Sequence, residues 1–265
     1  MKQNITIRDI AREAGVSVAT VSYVINNRTD KRISEKTRKK VLQVINLLDY
    51  TPNQAAKNLA TSRRQAIALC LSPHASTLKN AEQLQVIHFL SSFLRAHNYD
   101  LIYLNCDYRE RFDHADAIVC HDVSSALFHR IGDANFVPLL ALDCLVNDSL
   151  FFQINSDYAR ILAEGSRYFE GAPFRFVMLE TENDERRQLL SSLCPDILFV
   201  RDYGQLAPLH GERLLVTEET LYALLKDNNR VCHIPLMTQQ KAEALLQCTE
   251  YALQRTPIEQ HNIFV

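Results

Sequence analysis

Ser17, Thr20, Ser22 and Tyr23 crowd four hydroxyls into one short run, with the small apolar residues Val18 and Ala19 among them. Hydroxyls exchange hydrogen bonds with phosphates and base edges, and apolar side chains can meet a thymine methyl. The chemistry these residues suit is the reading of a DNA duplex. Catalytic patterns are absent by comparison: no nucleophile elbow, phosphate loop or metal-ligand spacing occurs. The adjacent acids Asp184-Glu185 and Glu218-Glu219 are of the kind that usually sits solvated on a surface. No enzymatic activity, metal or cofactor is expected.

The elements that must carry those hydroxyls can be read directly. Thr6 caps a first helix, with Asp9 three positions on as the acid of a capping box. Ile7, Ile10, Ala11 and Ala14 then recur at helical spacing. Gly15 falls where the chain must turn, Ser17 caps a second helix, and Val21, Val24 and Ile25 face back to a small core. Ser17, Val18, Ala19, Ser22 and Tyr23 are left pointing outward near the helix start, where a recognition helix meets bases. A third helix starts at the cap Ser34, with Val41, Val44, Leu47 and Leu48 expected inside and Lys36, Arg38, Lys39 and Lys40 available to phosphates.

Charge supports this division of labour. The chain has 265 residues and a net charge of −2. Up to Arg64 it holds thirteen Lys and Arg against five Asp and Glu, a net of +8, and the remainder is at −10. A basic head on an acidic body suits a polyanion, because cationic side chains displace condensed counterions. Hydrophobic residues make up 47%, enough for a real core. No run is long and apolar enough to span a bilayer, and Met-Lys-Gln-Asn-Ile-Thr lacks the core of a signal peptide, so a cytoplasmic location is expected.

Residues 5–60 resemble the DNA-binding head of the LacI/GalR (lactose and galactose repressor) family. The likeness runs through Asp9-Ile10-Ala11, Ala14-Gly15-Val16-Ser17, Thr20-Val21-Ser22, Val24-Ile25-Asn26, Ile33-Ser34-Glu35-Lys36-Thr37-Arg38 and Leu48-Asp49-Tyr50-Thr51-Pro52-Asn53. It implies a head at 1–60 with three helices and a hinge helix at 53–60, which forms when two copies meet over the minor groove. The run from Gln54 to Ala60 is too short to be a stable helix alone. Leu59 matches the family's apolar wedge, of the type that kinks a duplex. Thr6, Ser17, Val18, Ala19, Thr20, Ser22, Tyr23, Asn26, Arg28 and Thr37, with Asn53, Ala56, Leu59 and Ala60 in the hinge, are the expected DNA contacts. Tyr23 stands where many relatives carry Arg or His, so the operator cannot be transferred from a relative.

Beyond Arg64, Ala66–Leu71, Asp100–Cys106, Ala115–Cys120 and Pro138–Cys144 read as buried parallel strands. Phe174–Leu179, Asp196–Val200, Arg213–Val216 and His261–Val265 follow as strands, with helices at Leu84–Leu94, Ala159–Phe169, Thr220–Leu225 and Gln239–Leu253. This alternation means a doubly wound α/β body. It resembles the family's two-lobed, periplasmic-binding-protein-like effector domain, implying a dimerisation and effector-binding role for 61–265. His74, Asp157, Arg187, Arg201, Asp202 and Glu218 are the effector-contacting candidates. The body is abbreviated by about two strand–helix units of roughly thirty residues, with gaps expected at Tyr108–His114 and near Leu190–Cys194. Arg201 replaces an amide, Glu218 outreaches the usual Asp, and the chain has no Trp to stack on a sugar.

Seven cysteines, none in a Cys-x-x-Cys pair, read as reduced core thiols. Four of them, Cys70, Cys106, Cys120 and Cys144, end predicted strands near His74 and His121. That position leaves open a soft-metal or redox sensor. The expected function is a homodimeric repressor on a pseudo-palindromic double-stranded operator, controlled by a sugar, sugar phosphate or nucleoside. The alternatives are a regulator whose body only dimerises or meets a protein partner, and a sugar-binding protein with a relic head.

Overall fold

The structure is a computed structural model that describes residues 5–25, 33–48, 65–107 and 111–265. The chain divides into two compact units, Met1–Arg63 and Arg64–Val265. The first contains α1 (Ile7–Ala14), α2 (Val18–Ile25) and α3 (Glu35–Leu47). Their core is Ile10, Ala11, Ala14, Val21, Val24, Val41 and Val44, with Ile45 and Leu48 packed against it. Leu47, expected inside, is 78% exposed. Positions 41, 44, 45 and 48 share one helical face, and 47 lies out of phase with them.

The second unit has two lobes. The first lobe carries β1 (Ala66–Leu71), α4 (Thr77–Ala96), β2 (Asp100–Asn105), β3 (Ala117–His121), α5 (Ser125–Ala134), β4 (Leu139–Leu142) and β5 (Phe152–Asn155). The chain then crosses to the second lobe: α6 (Tyr158–Tyr168), β6 (Arg175–Leu179), α7 (Asp184–Leu193), β7 (Leu198–Val200), a 3-10 turn at Tyr203–Leu206, β8 (Arg213–Val216), α8 (Glu219–Leu225) and β9 (Arg230–His233). It returns to the first lobe with α9 (Gln239–Gln254) and β10 (Asn262–Phe264). The first sheet has the order β10-β5-β4-β3-β1-β2 and the second β7-β6-β8-β9. Their paired strands are parallel throughout.

Period-two alternation sorts each strand between two helical layers. Ile67, Leu69 and Leu71 of β1 join Leu90 and Leu94 of α4 and Leu245 of α9, while Ala68 and Cys70 join Phe128 of α5 on the other face. In the second lobe Val177 and Leu179 face α8, and Phe176 and Met178 face α6 and α7. Leu78 of α4 packs into the core of the second lobe. Gly165 lets α6 approach the sheet, since a Cβ there would stand 3.0 Å from a Leu215 methyl.

Four elements went unread in the sequence: β5, β9, α5 and α7. Among the described residues, no helix separates β2 from β3, where a gap was expected. Near Leu190–Cys194, where the loss of a strand and a helix was expected, α7 ends at Leu193 and β7 begins at Leu198, with neither element between them among the described residues. All four strand-end cysteines lie in one core cluster. Cys70 and Cys106 form a disulfide, in place of the reduced thiols expected, because parallel neighbours β1 and β2 bring their Cα atoms to 5.4 Å. Cys120 and Cys144 are free and buried, and desolvation raises both thiols, Cys144 to about 12. No group of three or more His, Cys, Asp or Glu among the described residues could hold a metal.

Candidate functional site

The head is organised by short-range caps. Asp9 accepts the Thr6 amide at 3.0 Å and the Thr6 hydroxyl at 2.7 Å. Those two bonds, more than the nearby Arg12, hold its carboxyl below the usual range. Gly15 ends α1 in the left-handed region at φ 64°, its amide donating back to Ala11 and Arg12, which points the chain into α2. Ser17 caps α2 by accepting the Thr20 amide at 3.1 Å, and its hydroxyl meets that of Thr20 at 2.9 Å. Ser34 caps α3 in the same way through the Thr37 amide.

The caps decide which side chains face out. Ser17, Val18 and Ala19 are exposed on the first turn of α2, while Thr20, Ser22 and Tyr23 are half-buried along it. Thr6 is exposed at the start of α1 and Thr37 half-buried in α3. Lys36, Lys39 and Lys40 are exposed on α3. Asn26, Arg28, Asn53, Ala56, Leu59, Ala60 and the whole hinge lie outside the described residues.

The second candidate site is the cleft between the lobes, where the carboxyl ends of both sheets meet, the usual ligand position in open α/β sheets. A cavity of about 550 Å³ at its mouth is lined by His74, Arg201 and Asp202, together with Ser76, Glu180 and Glu182. His74 Nε2 lies 2.7 Å from Glu182 across the cleft, and Arg201 Nε donates to Glu180 at 2.8 Å. Three of the six effector candidates therefore share one cavity. Glu218 sits deeper, beside a residual space of about 40 Å³ with Lys79, Glu82, His121, Asp143 and Arg186. Asp157 lines neither; it caps α6 by accepting the Arg160 amide at 3.0 Å. Arg187 lies over the Phe199 ring at 4.4 Å and pairs with Glu180 at the edge of the mouth cavity.

The arginine that enters the cleft is its neighbour, Arg186, which is 4% exposed. One residue along a helix rotates a side chain by about 100°, which turns Arg186 into the cleft and Arg187 towards Phe199 and Glu180. Arg186 donates from Nε to the Tyr158 hydroxyl at 2.7 Å and from a terminal nitrogen to Asp122 at 3.0 Å. Lys79, Asp122, Asp143 and Lys241 were missed as well. The two acids each follow a buried strand, which was the available signal. Burial opposes the ionisation of both, but Lys79 and Arg186 hold Asp122 below the usual carboxylate range, as Lys241 and Arg186 do Asp143. Burial and the neighbouring Glu82 push Glu218 up to about 7, and burial pulls His121 down to about 4.

These features define a class: a helix-turn-helix head joined to a two-lobed parallel α/β body. The family described as "Bacterial regulatory proteins, lacI family" matches residues 6–53. The head is a LacI-family helix-turn-helix domain. Catabolite control protein A of Streptococcus mutans serotype c is 52% identical over 67 residues, 25% of this chain and 20% of that protein. The probable HTH-type transcriptional repressor ExuR of Bacillus subtilis is 28% identical over 173 residues, 62% of this chain and 51% of that protein. The chain thus matches from a fifth to about half of the length of these relatives. Among solved structures, the lac repressor dimer bound to operator and the anti-inducer ONPF superposes with a TM-score of 0.56 at 16% identity, covering 99% of this chain and 96% of that one. That likeness establishes a common fold for the body.

Proposed function

We propose that the chain is a sequence-specific DNA-binding regulator of transcription, a homodimeric, cytoplasmic repressor without enzymatic activity. The observation that carries this reading is the head: a capped helix-turn-helix that exposes the small residues Ser17, Val18 and Ala19 at the start of its second helix, matched by the LacI family over residues 6–53. Ser17, Val18, Ala19, Thr20, Ser22 and Tyr23 read bases. Thr6, Thr37 and the lysines of α3 contact phosphates. Two such heads meet the halves of a pseudo-palindrome, as two-fold symmetry requires. Residues 1–60 serve DNA binding and 61–265 dimerisation and control.

Control falls to a small molecule such as a sugar, sugar phosphate or nucleoside, acting by its differential affinity for two arrangements of the body. His74, Arg201 and Asp202 at the cleft mouth are the residues that would touch it. The tight inner cleft favours, as a second reading, a body that dimerises without sensing a metabolite. Selection of genomic fragments by the purified protein tests the main reading. Enrichment of a few promoter fragments sharing one pseudo-palindrome is expected; uniform recovery of all fragments would refute it.

A further inference from the structure

The inner cleft is filled by the chain's own charges. Asp122, at the end of β3, is buried and receives three donors: the Lys79 ammonium from its own lobe, and Arg186 and the Thr181 hydroxyl from the other. Lys79 also donates across the cleft to the Glu180 carbonyl at 2.8 Å. A second carboxylate, Asp143 at the end of β4, takes two contacts from Lys241, at 2.9 and 2.8 Å, and the Ser156 hydroxyl at 2.8 Å. Its backbone carbonyl lies 3.5 Å from Arg186.

A neutral clamp stands beside these ions. Asn183, fully buried at the start of α7, donates to the carbonyls of Val123 and Leu145 at 3.0 Å each and accepts the Leu145 amide at 3.1 Å. It thereby ties the second lobe to two loops of the first. The remaining space, about 40 Å³, holds about one water molecule. Ligand pockets generally span about 300–1,000 Å³.

We propose that this Asp122-centred ion cluster, with Asn183, occupies the inner cleft as a built-in substitute for a small molecule and clasps the lobes shut without one. Three cations, Lys79, Arg186 and Lys241, face the carboxylates Asp122 and Asp143, and each contacts one of them directly. A polyol entering the inner cleft would have to separate the Arg186–Asp122 pair, which spans both lobes. The inference builds on the reading of the chain as a regulator and narrows its control: a metabolite acts outside the inner cleft, as at the mouth on the His74–Glu182 and Arg201–Glu180 contacts.

The test is an inter-lobe distance in the full-length protein. Spin labels are placed through unnatural residues at Asp133 on α5 and Ser191 on α7, both exposed. The ligand-free protein, mixed with excess unlabelled protein so that only one protomer of a dimer carries labels, is expected to show one narrow distance, unchanged by millimolar galactose, glucose 6-phosphate or adenosine. Arg186→Ala should lose that single peak. Asn183→Ala, which strands no buried charge, should broaden it even if Arg186→Ala fails to fold. A broad ligand-free distribution that narrows with one of the three compounds would overturn the proposal, as would a narrow peak kept by folded Asn183→Ala. Operator binding is measured on the same samples: its absence refutes the regulator reading, whereas the distances decide the clasp.

Discussion

Replacing Glu218 with Gln should make the protein more stable at neutral pH and leave it little changed in acid. Glu218 is 6% exposed; its carboxylate accepts the Leu179 amide at 3.1 Å and the Thr217 hydroxyl at 2.9 Å. Burial, then the carboxylate of Glu82, raise its pKa from 4.5 to about 7. A group whose folded pKa is raised contributes stability that is fully present below 4.5 and is lost as pH rises through about 7. At about 1.36 kcal/mol per pH unit, ionising Glu218 costs the fold about 3 kcal/mol. Glutamine cannot ionise and keeps one acceptor oxygen, at a cost of about 1 kcal/mol for the weakened partner. His121, drawn down by burial from 6.5 to about 4, titrates over the same range with the opposite sign, losing stability as pH falls. The quantity to read is therefore variant minus wild type, from urea unfolding followed by circular dichroism between about pH 5 and about pH 8. The difference should climb by about 2–3 kcal/mol in favour of the variant across that range. A difference independent of pH would refute the reasoning.

Arg186→Ala should destabilise the body by about 3–5 kcal/mol, because it strips a partner from the buried Asp122; denaturant unfolding reads this, and a loss below about 1 kcal/mol would deny the pair its role. Leu59→Ala should weaken specific operator binding far more than binding to unrelated DNA, with equal loss in both counting against a wedge. Lys39→Ala should weaken binding to every sequence and flatten the salt dependence by about one counterion, which titrations across potassium chloride concentration would register.

The head was legible because its signals are local. Thr6 with Asp9, Gly15, Ser17 with Thr20 and Ser34 with Thr37 act within one helical turn, so sequence spacing nearly specifies their geometry. Strands buried on both faces, such as Ala66–Leu71, were equally plain as unbroken apolar runs. Phe152–Asn155 and Arg230–His233 were not, since Gln153, Asn155, Arg230 and His233 interrupt the apolar pattern. The cleft was hardest. Lys79, Asp122, Arg186 and Lys241 are far apart in sequence and gain meaning only when two lobes converge, and nothing local distinguishes Arg186 from Arg187.

The central claim is that the head reads a DNA sequence, and equilibrium binding tests it directly. The purified chain is titrated against a selected pseudo-palindromic promoter fragment and against the same fragment scrambled, over a series of salt concentrations. The account predicts binding to the intact site at least about 10³-fold tighter at physiological salt, with affinity for both fragments falling steeply as salt rises. Equal affinity for the two fragments, or no binding to either, would contradict it.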